Sequence, residues 1–188
     1  MTENFSIQYP ATDNCTVAPD TLIDKYSAKL PTYLIDLWKS SGLGKYRDGL
    51  IELINPEDYE EVLHTWLGKA TPNYVPFAIS AFGELFYYRK LTETDEDVCM
   101  IDIQYRKIDV LTWDLTAFFE DYLIDDYNRD FWLREKLFNE AILKNGKLEK
   151  SEVYTFVPIL AFGGAEEIAY LQKGKADVYQ HLVFSMTA

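Results

Sequence analysis

The sequence is poor in the residues on which most metal binding and nucleophilic catalysis depend. Its 188 residues hold two cysteines and two histidines. Cys15 and Cys99 form no CxxC pair, which excludes zinc-ribbon and thioredoxin-type motifs. His64 follows Glu60 by four residues and His181 follows Asp177 by four, so each pair can share a helix face. Neither completes HExxH and no third ligand lies near, so we expect no metal and no cofactor. Basic residues are also few, 18 against 31 acidic ones, for a net charge of −13. Such a chain repels nucleic acid and anionic membranes at long range and attracts basic partners. Acidity also keeps an ordinary cytosolic protein soluble. No apolar run approaches the ~20 residues that span a bilayer. The opening MTENFSIQYP has neither a basic stretch nor an apolar one, so the expectation is a cytoplasmic protein with reduced thiols.

The usual catalytic and phosphate signatures fail on inspection. Gly42-Leu43-Gly44-Lys45 resembles the end of a phosphate-binding loop. Lys39 stands where that loop needs its first glycine, and Tyr46 stands where it needs Ser or Thr. Gly163-Gly164 lacks the GxGxxG spacing, and Glu166 and Glu167 would repel phosphate. There is no GxSxG. Carboxylates are too abundant for a glycosidase-like pair to stand out. An enzyme built on clustered carboxylates would need a deep pocket with two convergent, perturbed groups. The reading is of a protein that is not an enzyme.

Enough apolar material is present for a real core: 48% of residues are hydrophobic, among them 14 Tyr, 11 Phe and 4 Trp. Aromatics serve cores and interfaces alike. Residues 1–18 read as a short helix or a loose arm. Helical spacing predicts a helix over Asp20–Leu30 and another opened by Pro31, with Leu34, Ile35, Leu37 and Trp38 as its apolar face. A short strand is expected over Gly49–Ile54, then a helix capped by Asn55 and stopped by Gly68. Phe77–Phe82 and Leu85–Lys90 read as a hairpin closed by Gly83-Glu84. Val98–Ile103 and Ile108–Leu111 extend it into a meander. Beyond Thr112 a capped helix is expected up to Phe119. A long helix follows over Tyr127–Lys144, with Phe131, Leu133, Leu137, Phe138 and Ala141 inward, ended by Asn145-Gly146. A β-like run over Tyr154–Leu160, a strand over Ile168–Leu171 and a helix over Lys175–Met186 complete the chain. The class is α+β, a mostly antiparallel central sheet flanked by helices in the N- and C-terminal parts.

Charge is unevenly placed. Thr92–Asp130 carries 12 of the acidic residues against Arg106, Lys107 and Arg129, a net of −9. Trp113, Phe118, Phe119, Tyr122 and Tyr127 are interleaved. An acidic surface with aromatic anchors suits a basic protein, because charge steers encounter and buried rings hold it. A solvated helix face over core aromatics would give the same pattern. On the first reading the partner-binding candidates are Asp95, Glu96, Asp97, Trp113, Asp114, Glu120, Asp121, Tyr122, Asp125 and Asp126.

Several ordered motifs carry a family resemblance. Pro19–Tyr59 reads PDTLIDKYSAKLPTYLIDLWKSSGLGKYRDGLIELINPEDY, which resembles the GAD-like domain pattern of LP-x-x-L-x-x-x-W, G-x-G-x-Y-x-x-GL and NP-x-x-Y. Ile79–Leu85, ISAFGEL, is similar to that domain's next strand turn. The later segments Asp109-Val110-Leu111, Phe118-Phe119, Leu137–Ala141, Gly146-Lys147-Leu148, Glu152-Val153-Tyr154, Val157–Gly164 and His181-Leu182 resemble the immunity domain that follows it. Phe162 departs from the smaller aliphatic usual there, which touches packing only. The resemblance implies a GAD-like region at 1–106 and an immunity region at 107–188, together one compact unit. It implies a type VI secretion immunity protein that binds and inhibits a nuclease (DNase) toxin by covering its basic DNA-binding and active-site face. The GAD-like name is shared with some tRNA-handling enzymes, but the charge gives no reason to expect RNA. The LP-x-x-L-x-x-x-W helix is also similar to SMI1/KNR4-type immunity proteins, which would imply another toxin or an adaptor role. Oligomeric state is left open.

Overall fold

The computed structural model describes residues 3–187. Its centre is a six-stranded antiparallel meander in which every strand pairs with its sequence neighbours. The strands are β1 (Gly44–Tyr46), β2 (Ile51–Leu53), β3 (Tyr74–Ser80), β4 (Leu85–Lys90), β5 (Glu96–Asp102) and β6 (Lys107–Thr112). Consecutive pairing needs only short connections, and the short apolar runs of β3, β4 and β5, buried on both faces, are separated by turns that allow it. A separate hairpin joins β7 (Glu152–Phe156) to β8 (Leu171–Lys175). Ala81 at the end of β3 accepts a hydrogen bond from Tyr154 N at 2.8 Å and so ties the hairpin to the meander.

Both faces of the sheet are covered. Against one lie α1 (Glu3–Gln8), α2 (Asp20–Tyr26) and α3 (Thr32–Ser40), with α5 (Leu115–Ala117) and the wide turn Phe118–Tyr122 after it. This face holds the larger core. Phe5, Tyr9, Tyr26, Trp38, Phe77, Phe86, Phe118 and Phe119 meet there, with Phe138 and Tyr154 from the second half. The other face is closed by α4 (Glu60–Leu67) and α8 (Ala176–Thr187), through Val62, Leu63, Tyr179 and Val183. Residues from both ends of the chain fill one cluster, so the two regions share a core.

The α3 face is buried as its spacing predicts, and Asn55 accepts a hydrogen bond from Glu57 N at 3.2 Å as a cap. Five expectations need correction. The first helix after Pro19 stops at Tyr26. Of the two readings of residues 1–18 the short helix holds, over Glu3–Gln8, and the loose arm does not: Phe5 and Tyr9 are fully buried, and Tyr9 donates to the Leu123 carbonyl at 2.8 Å. The β3–β4 connection is the four residues Ala81–Glu84, because Ser80 Oγ caps the Phe82 and Glu84 amides and ends the ladder early. The long helix is two, α6 (Asp126–Trp132) and α7 (Glu135–Asn145), broken where Arg134 takes a left-handed conformation. The break rotates the first segment outward, so Phe131 is exposed and not inward. The last strand begins at Leu171, the preceding Ile168–Tyr170 being a 3-10 turn.

The two edges of the meander differ. Along β1 the arm forms bridges between Ala11 and Tyr46 and between Thr16 and Leu43. Gly42, at φ +89°, makes this approach possible, since a Cβ there would stand 2.3 Å from the Thr16 carbonyl oxygen. The G-x-G motif therefore seats the arm. Along β6, among the described residues, no strand pairs with the outer edge.

Candidate partner-binding face

The acidic residues singled out by sequence divide into three kinds. Some are structural. Asp97 is fully buried and takes a two-pronged contact from Arg89 at 2.7 and 2.6 Å, so it offers nothing to a partner. Glu96 is half-buried; it accepts from Tyr88 Oη at 2.7 Å and from Leu115 N at 3.1 Å. Glu120 is held by Tyr33 Oη and Asn4 N. Tyr122 is half-buried and stacks on Phe118 with ring centres 5.9 Å apart. A second kind caps helices while remaining exposed. Asp114 accepts from Ala117 N at 2.7 Å and Asp125 from Asn128 N at 2.9 Å. The third kind is exposed with little or no structural duty: Asp95 in the β4–β5 turn, Asp121, and Asp126, which contacts Arg129. Trp113 is 72% exposed.

Strand β6 runs between these groups. At its Thr112 end lie Trp113, Asp114 and Glu96; at its Lys107 end it meets α6 across an open cleft of about 880 Å³. Asp109, Asp126, Asp130, Glu166, Tyr127 and Phe131 line this cleft together with the basic Lys107, Arg134 and Lys136, and its six carboxylates outnumber its cations two to one. Tyr127 and Phe131 stack at 5.6 Å and are 69% and 58% exposed, and Phe131 meets Trp132 edge-on at 4.9 Å. Exposed stacked rings do not serve the core, yet they supply rigid contact area to a partner. Spacing alone missed the cleft, because Asp109, Asp130 and Glu166 come from three distant segments. The only signal was the acidic tract that contains the first two.

At the cleft's floor sits an ionic cluster. Arg134 reaches Glu84 and Glu166, each at 2.8 Å. Glu84 is fully buried and also accepts from Ser80 Oγ. Burial pushes the carboxyls of Glu84 and Asp102 upward, and the Arg134 charge opposes it. These are the perturbed carboxylates a catalytic reading requires. However, Glu84 is sealed from the cleft and its oxygens are already engaged. The cluster binds the two halves of the chain together. Among the described residues no group of three or more His, Cys, Asp or Glu side chains is arranged to hold a metal ion. His181 Nδ1 lies 2.9 Å from the Asp177 carbonyl within its own helix. A second, nearly uncharged groove of about 350 Å³ lies between the β7–β8 hairpin and α8, lined by Val157, Phe162, Val178, Leu182 and Met186.

Two family models match the chain in order. Residues 1–101 match the GAD-like domain, and residues 114–187 match the C-terminal domain of T6SS immunity protein Tdi1. The chain belongs to the type VI secretion immunity family. An immunity protein works on a cognate toxin, and the family points away from catalysis. The fold itself recurs in the crystal structure of Atu4351 from Agrobacterium tumefaciens, at a TM-score of 0.75 and 19% identity. That match covers 98% of this chain and 88% of the other. No curated protein matches the chain. No helix among the described residues is long and apolar enough to cross a membrane.

Proposed function

We infer that this immunity protein neutralises a nuclease toxin, a DNase, by covering the basic face with which that toxin grips DNA. The observation that carries the reading is the coincidence, around β6 and α6, of exposed rings with exposed carboxylates: Trp113, Tyr127 and Phe131 beside Asp121, Asp125 and Asp126. A nuclease must present cations to phosphates. An acidic face competes for those cations, and the rings exclude water once docked. Association accelerates with opposite charge and slows as salt screens it, over a Debye length of about 8 Å at physiological ionic strength. Inhibition follows from occupancy alone and needs no reaction.

The test is co-expression with the nuclease candidate from the adjacent reading frame, scoring survival and genomic DNA integrity. Protection with intact DNA is expected. Death with degraded DNA despite soluble immunity protein sinks the reading. If the captured toxin spares DNA, the SMI1/KNR4-type alternative, a different toxin target, replaces it.

A further inference from the structure

We propose that the toxin contacts this face by adding an extended strand to the outer edge of β6. The incoming segment alternates basic and apolar side chains. This rests on the toxin-binding reading above and specifies its mode.

The argument begins with the unequal edges. A free strand edge presents unpaired N–H and C=O groups and is a template for another strand. The edge at β1 is occupied by residues 11–16 of the chain itself. The edge at β6 has no such cover among the described residues, and no residue of the strand is buried, three of its six being exposed and three half-buried. A bulge interrupts the β5–β6 register between Cys99↔Val110 and Val98↔Thr112 and leaves Leu111 unmatched. Lys107 to Val110 remains regular, long enough for several backbone pairings.

Side-chain alternation then specifies the occupant. Asp109 pairs with Met100, which belongs to the larger core, so Asp109 points to the α6 side and into the acidic cleft. Ile108 pairs with Ile101 and Val110 with Cys99, both of the other core. Ile108 and Val110 thus point to the opposite face, where they are 50% and 44% exposed. A strand laid beside β6 sends alternate side chains to these two faces. On one they meet Asp109 and the Tyr127–Phe131 stack in a cleft whose lining holds six carboxylates against Lys107, Arg134 and Lys136, with Asp126 and Asp130 paired to Arg129 and Lys136; the acidic excess and the open rings suit Arg or Lys. On the other they meet Ile108 and Val110, which suit aliphatic side chains. Among the described residues Asp109 forms no ion pair of its own. The chain's net charge of −13 disfavours a second copy as the occupant.

The probe is an acetylated eight-residue peptide alternating arginine and valine, titrated against the full chain. Its control has the same residues in two blocks. The alternating peptide is expected to bind at least tenfold more tightly. N-methylating one alternate set of its amides abolishes binding, while methylating the other set changes it less than twofold. Val110→Lys is expected to weaken the alternating peptide and the captured toxin at least tenfold with no shift in urea midpoint. Equal binding of block and alternating peptides, or equal effects of the two methylation sets, overturns strand addition. So does concentration-dependent dimerisation that Val110→Lys abolishes. Toxin capture that survives Val110→Lys sinks strand addition but leaves the immunity reading standing; failure to capture any cationic toxin with the parent chain sinks both.

Discussion

The two ends of the meander use the same residue types for opposite purposes. At β1, charge is buried and paired: Lys45 and Glu52 meet at 2.6 Å, and Lys45 also donates to the Glu152 carbonyl at 3.1 Å. Aromatics there are sealed, with Phe5 stacked on Tyr9 at 5.0 Å and edge-on to Phe119 at 4.9 Å. At β6 and α6, carboxylates and rings face solvent. A buried ion pair adds little net stability but makes breakage expensive, so it specifies arrangement. An exposed ring adds little to folding and is retained at no structural gain. One end therefore defines the fold, and the other, where we place the docking surface, carries little of that duty.

The contrast breaks most visibly through matched substitutions. Lys45→Met leaves Glu52 uncompensated inside the protein and is expected to cost about 3–5 kcal/mol in urea unfolding. Lys107→Met at the other end is expected to stay within about 0.5 kcal/mol; equal losses would erase the distinction. Phe5→Ala removes a fully buried ring and should cost about 3–5 kcal/mol. Phe131→Ala should leave the unfolding midpoint in place and weaken toxin binding about tenfold, a change of about 1.4 kcal/mol. A cooperative loss of stability in the Phe131 variant would mean that the ring is core after all. Asp125 needs a finer tool because it caps α6. Asp125→Ala should lose about 1 kcal/mol, whereas Asp125→Asn keeps the cap and removes the charge. If salt-dependent association is unchanged in the Asn variant, Asp125 is only a cap. The smallest signal is chemical. Burial raises the Cys99 thiol to about 12, so at pH 8 it is protonated and should resist iodoacetamide until the chain unfolds. Rapid labelling of the native chain would show that the β5 centre opens locally.

Much of the scaffold could be read without coordinates. Helical spacing located the α3 face, short apolar runs parted by turn residues located the meander, and Asn55-Pro56 marked a real start. What escaped reading depended on partners distant in sequence. Asp97 looked like one more charge in an acidic turn, yet the register sets Arg89 opposite it and takes it out of play. The apolar pattern of residues 127–144 runs on without proline or glycine. Its break at Arg134 is held by Glu84, fifty residues earlier. The cleft was invisible for the same reason, since no local spacing announces that Glu166 faces Asp109 and α6. The acidic tract contains two of the cleft's carboxylates, Asp109 and Asp130, while several of its other members are tethers or caps.

The Glu84–Arg134 contact has a consequence for how such chains diversify. One partner lies in the segment that matches the GAD-like model and the other in the segment that matches the Tdi1-type model. A chimera that keeps the first half and takes a foreign second half inherits the buried Glu84 carboxylate with no counter-ion, whereas one that keeps the second half leaves Arg134 with Glu166 alone. Unless the donor carries both residues, recombination at this junction is penalised. New toxin specificities should accordingly arise by drift on the exposed rim rather than by exchange of whole segments.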